Sequence, residues 1–340
     1  MSRHISALRR TGGTALVLVG ALVLAGCGTT TVALSAVGVP SLSLNAPLTA
    51  VACTVGGSCV ALGASGSANT PTTAAQVRNH KGVWSALNTP EAPVASFYSG
   101  SCAVTTCLFG GTGSSGELLW SINANTGRVT TLAAPAGGAV IRRLSCSSDT
   151  VCTAIDATSD NLVRVSQTTN GGATWGAPHT LAWARSGVSA LDCVATNDCF
   201  ASATDSAGVT LRQTLDGGVT WTVIATPTTW TSLTSLQCSA TTCTALVNTA
   251  SGSSIATQAK VSKWKESVLS FTASGLSCAS PTRCLAIGHV GAAAPAMAQW
   301  TPGGIHSVAL TYVPSALTDV ACQPAVCVAI GVSTVVSLRP

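Results

Sequence analysis

The residues of this chain best equipped for chemistry are its cysteines. Fifteen occur in 340 residues, and a thiol can form a disulfide, hold a metal ion or carry a covalent lipid. Fourteen fall into seven close pairs: Cys53 and Cys59, Cys102 and Cys107, Cys146 and Cys152, Cys193 and Cys199, Cys238 and Cys243, Cys278 and Cys284, and Cys322 and Cys327. Four or five residues separate the members of a pair, and successive first members lie 40 to 49 residues apart. Structural zinc sites are usually assembled from C-x2-4-C pairs combined into sets of four ligands, so metal and disulfide compete for these spacings. Other candidates are sparser. Arg143, Asp192, Gln237 and Asp319 each stand one or three residues before the first cysteine of a pair. His80, His179, His289 and His306 lack metal-ligand spacing and read as surface or turn residues. No Ser/His/Asp motif or phosphate-binding glycine loop occurs.

The elements that would position these residues repeat with them. A fixed period of this size signals a repeat architecture. Two residues before the first cysteine stand Val51, Leu144, Leu191, Leu236, Leu276 and Val320, with Gly100 the departure. Two residues after the second stand Ala61, Ala154, Ala201, Ala245, Ala286 and Ala329, with Phe109 the departure. Offsets of two keep these residues on the face of an extended strand that carries the cysteines. Each unit therefore reads as strand, short polar turn, strand, with a local disulfide tying the two strands across the hairpin. The opposite face carries Arg143, Asp192, Gln237 and Asp319 among small residues such as Ser99, Ser101, Ser145 and Ser277.

The first segment is an export signal. Arg3, Arg9 and Arg10 precede an apolar run from Ala15 to Ala25, too short to span a bilayer. The run ends in Leu24-Ala25-Gly26-Cys27, which resembles the bacterial lipobox. That resemblance implies cleavage before Cys27 and diacylglycerol on its sulfur, giving a signal peptide over 1–26. Thr-Gly-Gly after Arg9-Arg10 leaves only a weak twin-arginine signal. Cleavage removes three of 16 basic residues and none of 11 acidic ones, so the mature chain has a formal charge of only +2. With 8% charged residues overall, the chain has no basic arm for nucleic acid and no acidic tail. Export also bears on the thiols: seven like pairs in an oxidising compartment favour local disulfides over zinc.

A second motif sits later in the unit. Thr168-Thr169-Asn170-Gly171-Gly172-Ala173-Thr174-Trp175 and Thr214-Leu215-Asp216-Gly217-Gly218-Val219-Thr220-Trp221 share one pattern. Both resemble the Asp-box, or bacterial neuraminidase repeat, with Asn170 or Asp216 accepting amide hydrogen bonds in a tight hairpin. Gly172 and Gly218 permit positive φ there, and Trp175 and Trp221 pack the hairpin onto its sheet. Lys81-Gly82-Val83-Trp84, Lys263-Trp264 and Trp300-Thr301-Pro302-Gly303-Gly304 read as remnants, and Asn125-Thr126-Gly127 as the equivalent turn of the second unit. Over nearly all of the mature chain the pattern resembles all-β, seven-bladed β-propellers of the Asp-box superfamily. That group includes sialidases and the photosystem II assembly-factor type, the latter being the nearer likeness. The family places the Asp-box on the rim, which makes its residues structural.

The resemblance implies the propeller over 47–340, with 27–46 as lipid-attachment cysteine, short tether and ring-closing strand. Val32-Ala33-Leu34-Ser35-Ala36-Val37 is similar to Val308-Ala309-Leu310-Thr311-Tyr312-Val313, read as the outer strand of unit six. It would complete the seventh blade, whose sequence stops one strand short; Ser41 to Leu44 is the other candidate. Sialidases use three arginines, a Tyr/Glu nucleophile pair and an Asp acid/base. Tyr98, Tyr312, Glu91, Glu117 and Glu266 carry no matching motif, so no catalytic residue transfers. Arg143, Asp192, Gln237 and Asp319 either line one polar channel pocket or make inter-blade ion pairs and hydrogen bonds. The expected protein is a monomeric, lipid-anchored, extracytoplasmic scaffold for an envelope protein or glycan, with no metal and no cofactor. A diverged sialidase-like glycan hydrolase is the alternative.

Overall fold

The computed structural model describes residues 37–38 and 46–340, apart from 66–71, 91–93, 114–115, 136–139, 186, 207, 260–261, 292–293, 311–312, 314, 333 and 339–340. Seven antiparallel sheets of four strands follow one another along the chain. Blades 1 to 6 occupy residues 50–86, 94–132, 140–180, 190–224, 230–268 and 272–307, each a four-strand meander. Blade 7 takes three strands from 317–338, and its fourth member is the two-residue strand Val37–Gly38. The register of that last pair is Val37↔Ser337 and Gly38↔Val336. Inner strands of successive blades contact one another all the way round, including Leu317–Gln323 of blade 7 against Ala50–Cys53 of blade 1. The fold is a seven-bladed β-propeller.

Its core is seven seams rather than one centre. Each sheet is covered on both faces, so its second strand reads as a continuous apolar run whose alternate residues face different neighbours. In blade 5, Ala245 and Val247 pack toward blade 4 with Trp230, while Leu246 between them packs toward blade 6 with Phe271. The same alternation sends Ala286 of blade 6 toward blade 5, and Leu285 and Ile287 toward blade 7. The recurring small alanines follow from these seams, since two twisted sheets meet there face to face.

The two departures from the repeat compensate one another. Gly100 lies opposite Phe109 in the ladder of blade 2. A Cβ on Gly100 would stand 2.3 Å from the Phe109 ring. The fully buried ring thus fills the space that Val or Leu fills in the other blades.

All seven cysteine pairs are disulfides, one per blade, each joining the first two strands across their hairpin. In blades 1 to 4, Cys53 is bonded to Cys59, Cys102 to Cys107, Cys146 to Cys152 and Cys193 to Cys199. In blades 5 to 7, Cys238 is bonded to Cys243, Cys278 to Cys284 and Cys322 to Cys327. The second cysteines, namely Cys59, Cys107, Cys152, Cys199, Cys243, Cys284 and Cys327, all lie on second strands and are buried in the seams. Their sulfurs are therefore packing atoms as well as cross-links, and none is left as a thiol for metal or lipid. Paired Cα atoms lie 3.8 to 4.0 Å apart, the close spacing of a non-hydrogen-bonded antiparallel pair. On the chain-entropy model each closes a loop worth about 2 kcal/mol.

The outer strand of blade 6 departs from expectation: it is Gly304–Ser307, not the segment from Val308. Val308, Leu310 and Val313 instead turn into the seam with blade 7. Most of Val32 to Val37, and all of Ser41 to Leu44, lie outside the described residues, as do Cys27 and the signal segment.

Candidate functional site

A disulfide at a non-hydrogen-bonded pair leaves the N–H of the first cysteine pointing away from its own ladder, toward the channel edge. Those amides need acceptors, and the preceding blade supplies them. The residue just before the first cysteine reaches across: Ser101 Oγ accepts from Cys146 N–H at 2.9 Å, Ser145 Oγ from Cys193 at 2.8 Å and Ser277 Oγ from Cys322 at 2.9 Å. Asp192 Oδ2 does the same for Cys238 at 2.5 Å, and Gln237 Oε1 for Cys278 at 2.6 Å. Two residues further up the strand, Ser99, Ser235 and Asp319 accept from Leu144, Leu276 and Val51 at 3.0, 3.3 and 2.9 Å. A ladder of side-chain acceptors thus stitches blade to blade around the channel. The rung before the first cysteine is missing on both sides of blade 1, where Ala52 and Ala321 carry no acceptor, and on the blade 7 side Asp319 alone keeps the ladder through Val51.

Asp192, Gln237, Asp319 and Arg143 therefore line one channel cavity of about 500 Å³, and the first three also serve the seams. Burial pushes the Asp192 carboxyl up to about 6, against the pull of the Cys238 amide. Asp319 also rises to about 6 through burial, opposed by the amides of Val51 and Val320 and by the Arg143 charge. Arg143 is lowered by its own burial, partly offset by Asp319. Its Nε donates to Ser189 O at 2.9 Å and its Nη1 to Arg142 O at 2.7 Å, so carbonyls rather than a carboxylate hold it.

The two Thr-x-Asn/Asp hairpins lie away from the channel, between third and fourth strands of blades 3 and 4. Thr214 Oγ1 accepts from Gly218 N–H at 2.9 Å, and Asp216 accepts from the Thr220 amide at 2.8 Å and its hydroxyl at 2.5 Å. These bonds, the Thr220 hydroxyl foremost, hold the exposed Asp216 carboxyl down to about 2. Thr168, Asn170, Gly172 and Thr174 repeat the pattern in blade 3. Trp175 and Trp221 wedge into the seam with the preceding blade, as do Trp84 and Trp264 in theirs.

Sequence reasoning missed three acceptors and one cleft. Asn79 and Asn123, rather than Asn125, cap the outer turns of blades 1 and 2 through their side-chain oxygens. Asp149, in the cysteine hairpin of blade 3, accepts the amides of Val104, Thr105 and Thr106 and the Thr105 hydroxyl of blade 2. Partial burial works to raise that carboxyl, but these bonds outweigh it and hold it low. The cleft, of about 660 Å³, is lined by Tyr98, Arg142, Arg143, Arg185 and Thr204 among others. Among the described residues no group of three or more His, Cys, Asp or Glu converges as a metal site, and no helix is long and apolar enough to cross a membrane.

No protein-family model matches the chain, and no curated protein matches it. Solved structures do. YCF48 bound to a D1 peptide superposes with a TM-score of 0.63 at 13% identity, over 89% of this chain and 94% of that one. A catalytically inactive virginiamycin B lyase from Staphylococcus aureus with quinupristin gives 0.66 at 9% identity, over 90% and 99%. The GH74 enzyme of Niastella koreensis gives 0.64 at 12% identity over 87% of this chain, which spans only 53% of that one. At such identities the likeness is one of fold, shared by enzymes and non-enzymes alike.

Proposed function

We propose that the protein is a lipid-anchored, extracytoplasmic binding or scaffold module that presents its channel face to an envelope protein or glycan. One observation carries the reading: the polar side chains of the channel wall are engaged on amides of the next blade. Asp192, Gln237 and Asp319 each accept such an amide. A wall built this way supports a rigid binding ring rather than a reacting nucleophile and base. Seven disulfides fit an oxidising compartment. A neighbour bound to a peptide gives a precedent for a protein ligand on this fold. The lipobox-like Leu24 to Cys27 supplies the anchor, and the hairpins around Asn170 and Asp216 act as Asp-box staples on the rim.

The test joins anchoring to binding. Cys27→Ser should release the protein from membranes while leaving its melting curve unchanged. In-cell cross-linking of the wild type should trap one discrete partner that the released variant loses. A processed variant that stays in washed membranes, or a wild type that cross-links to nothing, would count against the reading. The hydrolase alternative draws on the raised carboxyls of Asp192 and Asp319. Release of reducing sugar from cell-wall glycans, lost in Asp192→Asn, would favour it.

A further inference from the structure

The cleft beside the channel joins parts of three blades. Tyr98 comes from the inner strand of blade 2, Arg142 and Arg143 from that of blade 3, and Arg185 from the segment leading into blade 4. The Arg142 guanidinium lies over the Tyr98 ring, 4.7 Å from its centroid. Among the described residues no acidic side chain lines the cleft. Among them, too, the one ion pair within 4.0 Å is Arg164 with Asp156, so none of these three arginines meets a carboxylate at that range.

The wall of the cleft and its junction with the channel are polar and under-used. The Thr204 hydroxyl in the cleft wall is buried and has no hydrogen-bond partner. Tyr98 and Arg143 also line the channel cavity, so cleft and channel meet at these two residues. The cleft therefore gathers three guanidinium groups with no carboxylate in its own lining, while Asp192 and Asp319 line the channel beyond Arg143.

We propose that this junction of cleft and channel is an oxyanion-binding site, taking a carboxylate or phosphate group between Arg142, Arg143 and Arg185. It rests on the reading of the protein as a binding module and names the chemistry of what is bound. Arg143, already fixed by Ser189 O and Arg142 O, keeps its outer donors for one oxygen pair. Arg142 and Arg185, both exposed, close on the ligand from the cleft. A volume of about 660 Å³ accommodates a sugar acid or a short anionic chain, not just a bare ion.

Calorimetric titration of the purified full-length protein at physiological salt tests this, with citrate and inorganic phosphate as separate probes. Saturable binding of either probe is expected, at least tenfold weaker in Arg142→Ala/Arg185→Ala, whose exposed side chains should leave the melting temperature unchanged. Arg283→Ala, exposed at the cysteine hairpin of blade 6, should bind as the wild type does. Preference for citrate would assign a carboxylate source, and preference for phosphate a phosphate ester. Binding of neither probe, or equal loss in Arg283→Ala, would overturn the site. Membrane retention and cross-linking are read on other variants, so the two readings can fail separately.

Discussion

Ser145 and Asp192 stand in the same place on consecutive blades and accept the same kind of amide, yet their physics differs. The hydroxyl is neutral; the carboxylate brings charge to a partly desolvated wall. Removing the hydroxyl with Ser145→Ala leaves the Cys193 amide unpaired and should cost about 1–3 kcal/mol, read by denaturant melts. Conversely, Ala52→Ser would extend the ladder toward Cys102 and should stabilise by about 0.5–1 kcal/mol. The carboxylates make stability depend on pH in a defined direction. Asp192 and Asp319 titrate near 6 when folded, above the usual carboxylate value when unfolded. The folded state thus binds more protons between about pH 4 and 6, and their contribution is complete below about 4 and lost as pH rises through about 6. Asp216, held near 2, acts oppositely: its contribution is present above about 4 and is lost as pH falls through about 2. Asp192→Asn/Asp319→Asn keeps an acceptor at each seam without the charge. Its melting temperature should vary less than that of the wild type between about pH 4 and 6 and exceed it above about 6. Parallel profiles for the two proteins would refute the assignment.

At the scale of elements, what can be read from the chain is what is local. A cysteine pair, its Val or Leu before and its Ala after are all set by one hairpin, so the seven units are legible from spacing, and their disulfides from that spacing together with the export signal. The Gly100 and Phe109 departures are visible too, but not that they fill one another's space. Partners across a seam lie on a different unit, 44 residues away for Asp149 and Thr105, and no local pattern couples them. That is why Asp149, which clasps the preceding hairpin, gives no signal in the sequence. It is also why Tyr98, Arg142 and Arg185 form no motif, although Arg143 and Asp319 do stand out as charges on a small-residue strand. The hairpin at 214–221 shows both levels at once. Gly218 has a φ of +104°, and a Cβ there would lie 2.8 Å from Val165 of the preceding blade. The turn explains the first fact and only the seam explains the second. Gly218→Ala should therefore destabilise by more than the roughly 1 kcal/mol of positive φ alone. Adding Val165→Ala should recover part of the loss, a coupling that a purely local turn would not show.

A ring of sheets is only as stable as its last seam, and here Val37–Gly38 meets the strand Val335–Leu338. Blade 7 carries Val335, Val336 and Leu338 on its third strand, all buried, and Val37–Gly38 lies along that strand's outer edge. Without an outer neighbour the strand would present a row of free amides and carbonyls, an edge that invites pairing with another chain. We propose that the N-terminal segment closes the ring in this way and that the same segment is the membrane tether. Residues 28–36 then separate the lipidated Cys27 from the first paired residue, a reach of at most about 30 Å fully extended. Such a tether keeps the ring near the headgroups, which suits a membrane-proximal partner better than a distant substrate. Deleting residues 31–39 tests closure and tether together. Loss of the two-residue ladder should lower stability by about 1–3 kcal/mol. It should also expose the Val335–Leu338 edge, so that the variant self-associates in sedimentation while the wild type does not. Supplying the deleted segment as a free peptide should restore part of the melting temperature if pairing is what was lost. An unchanged melting curve with no self-association would mean that residues 31–39 are tether alone. The propeller would then close without them, and the argument for a membrane-hugging ring would fall.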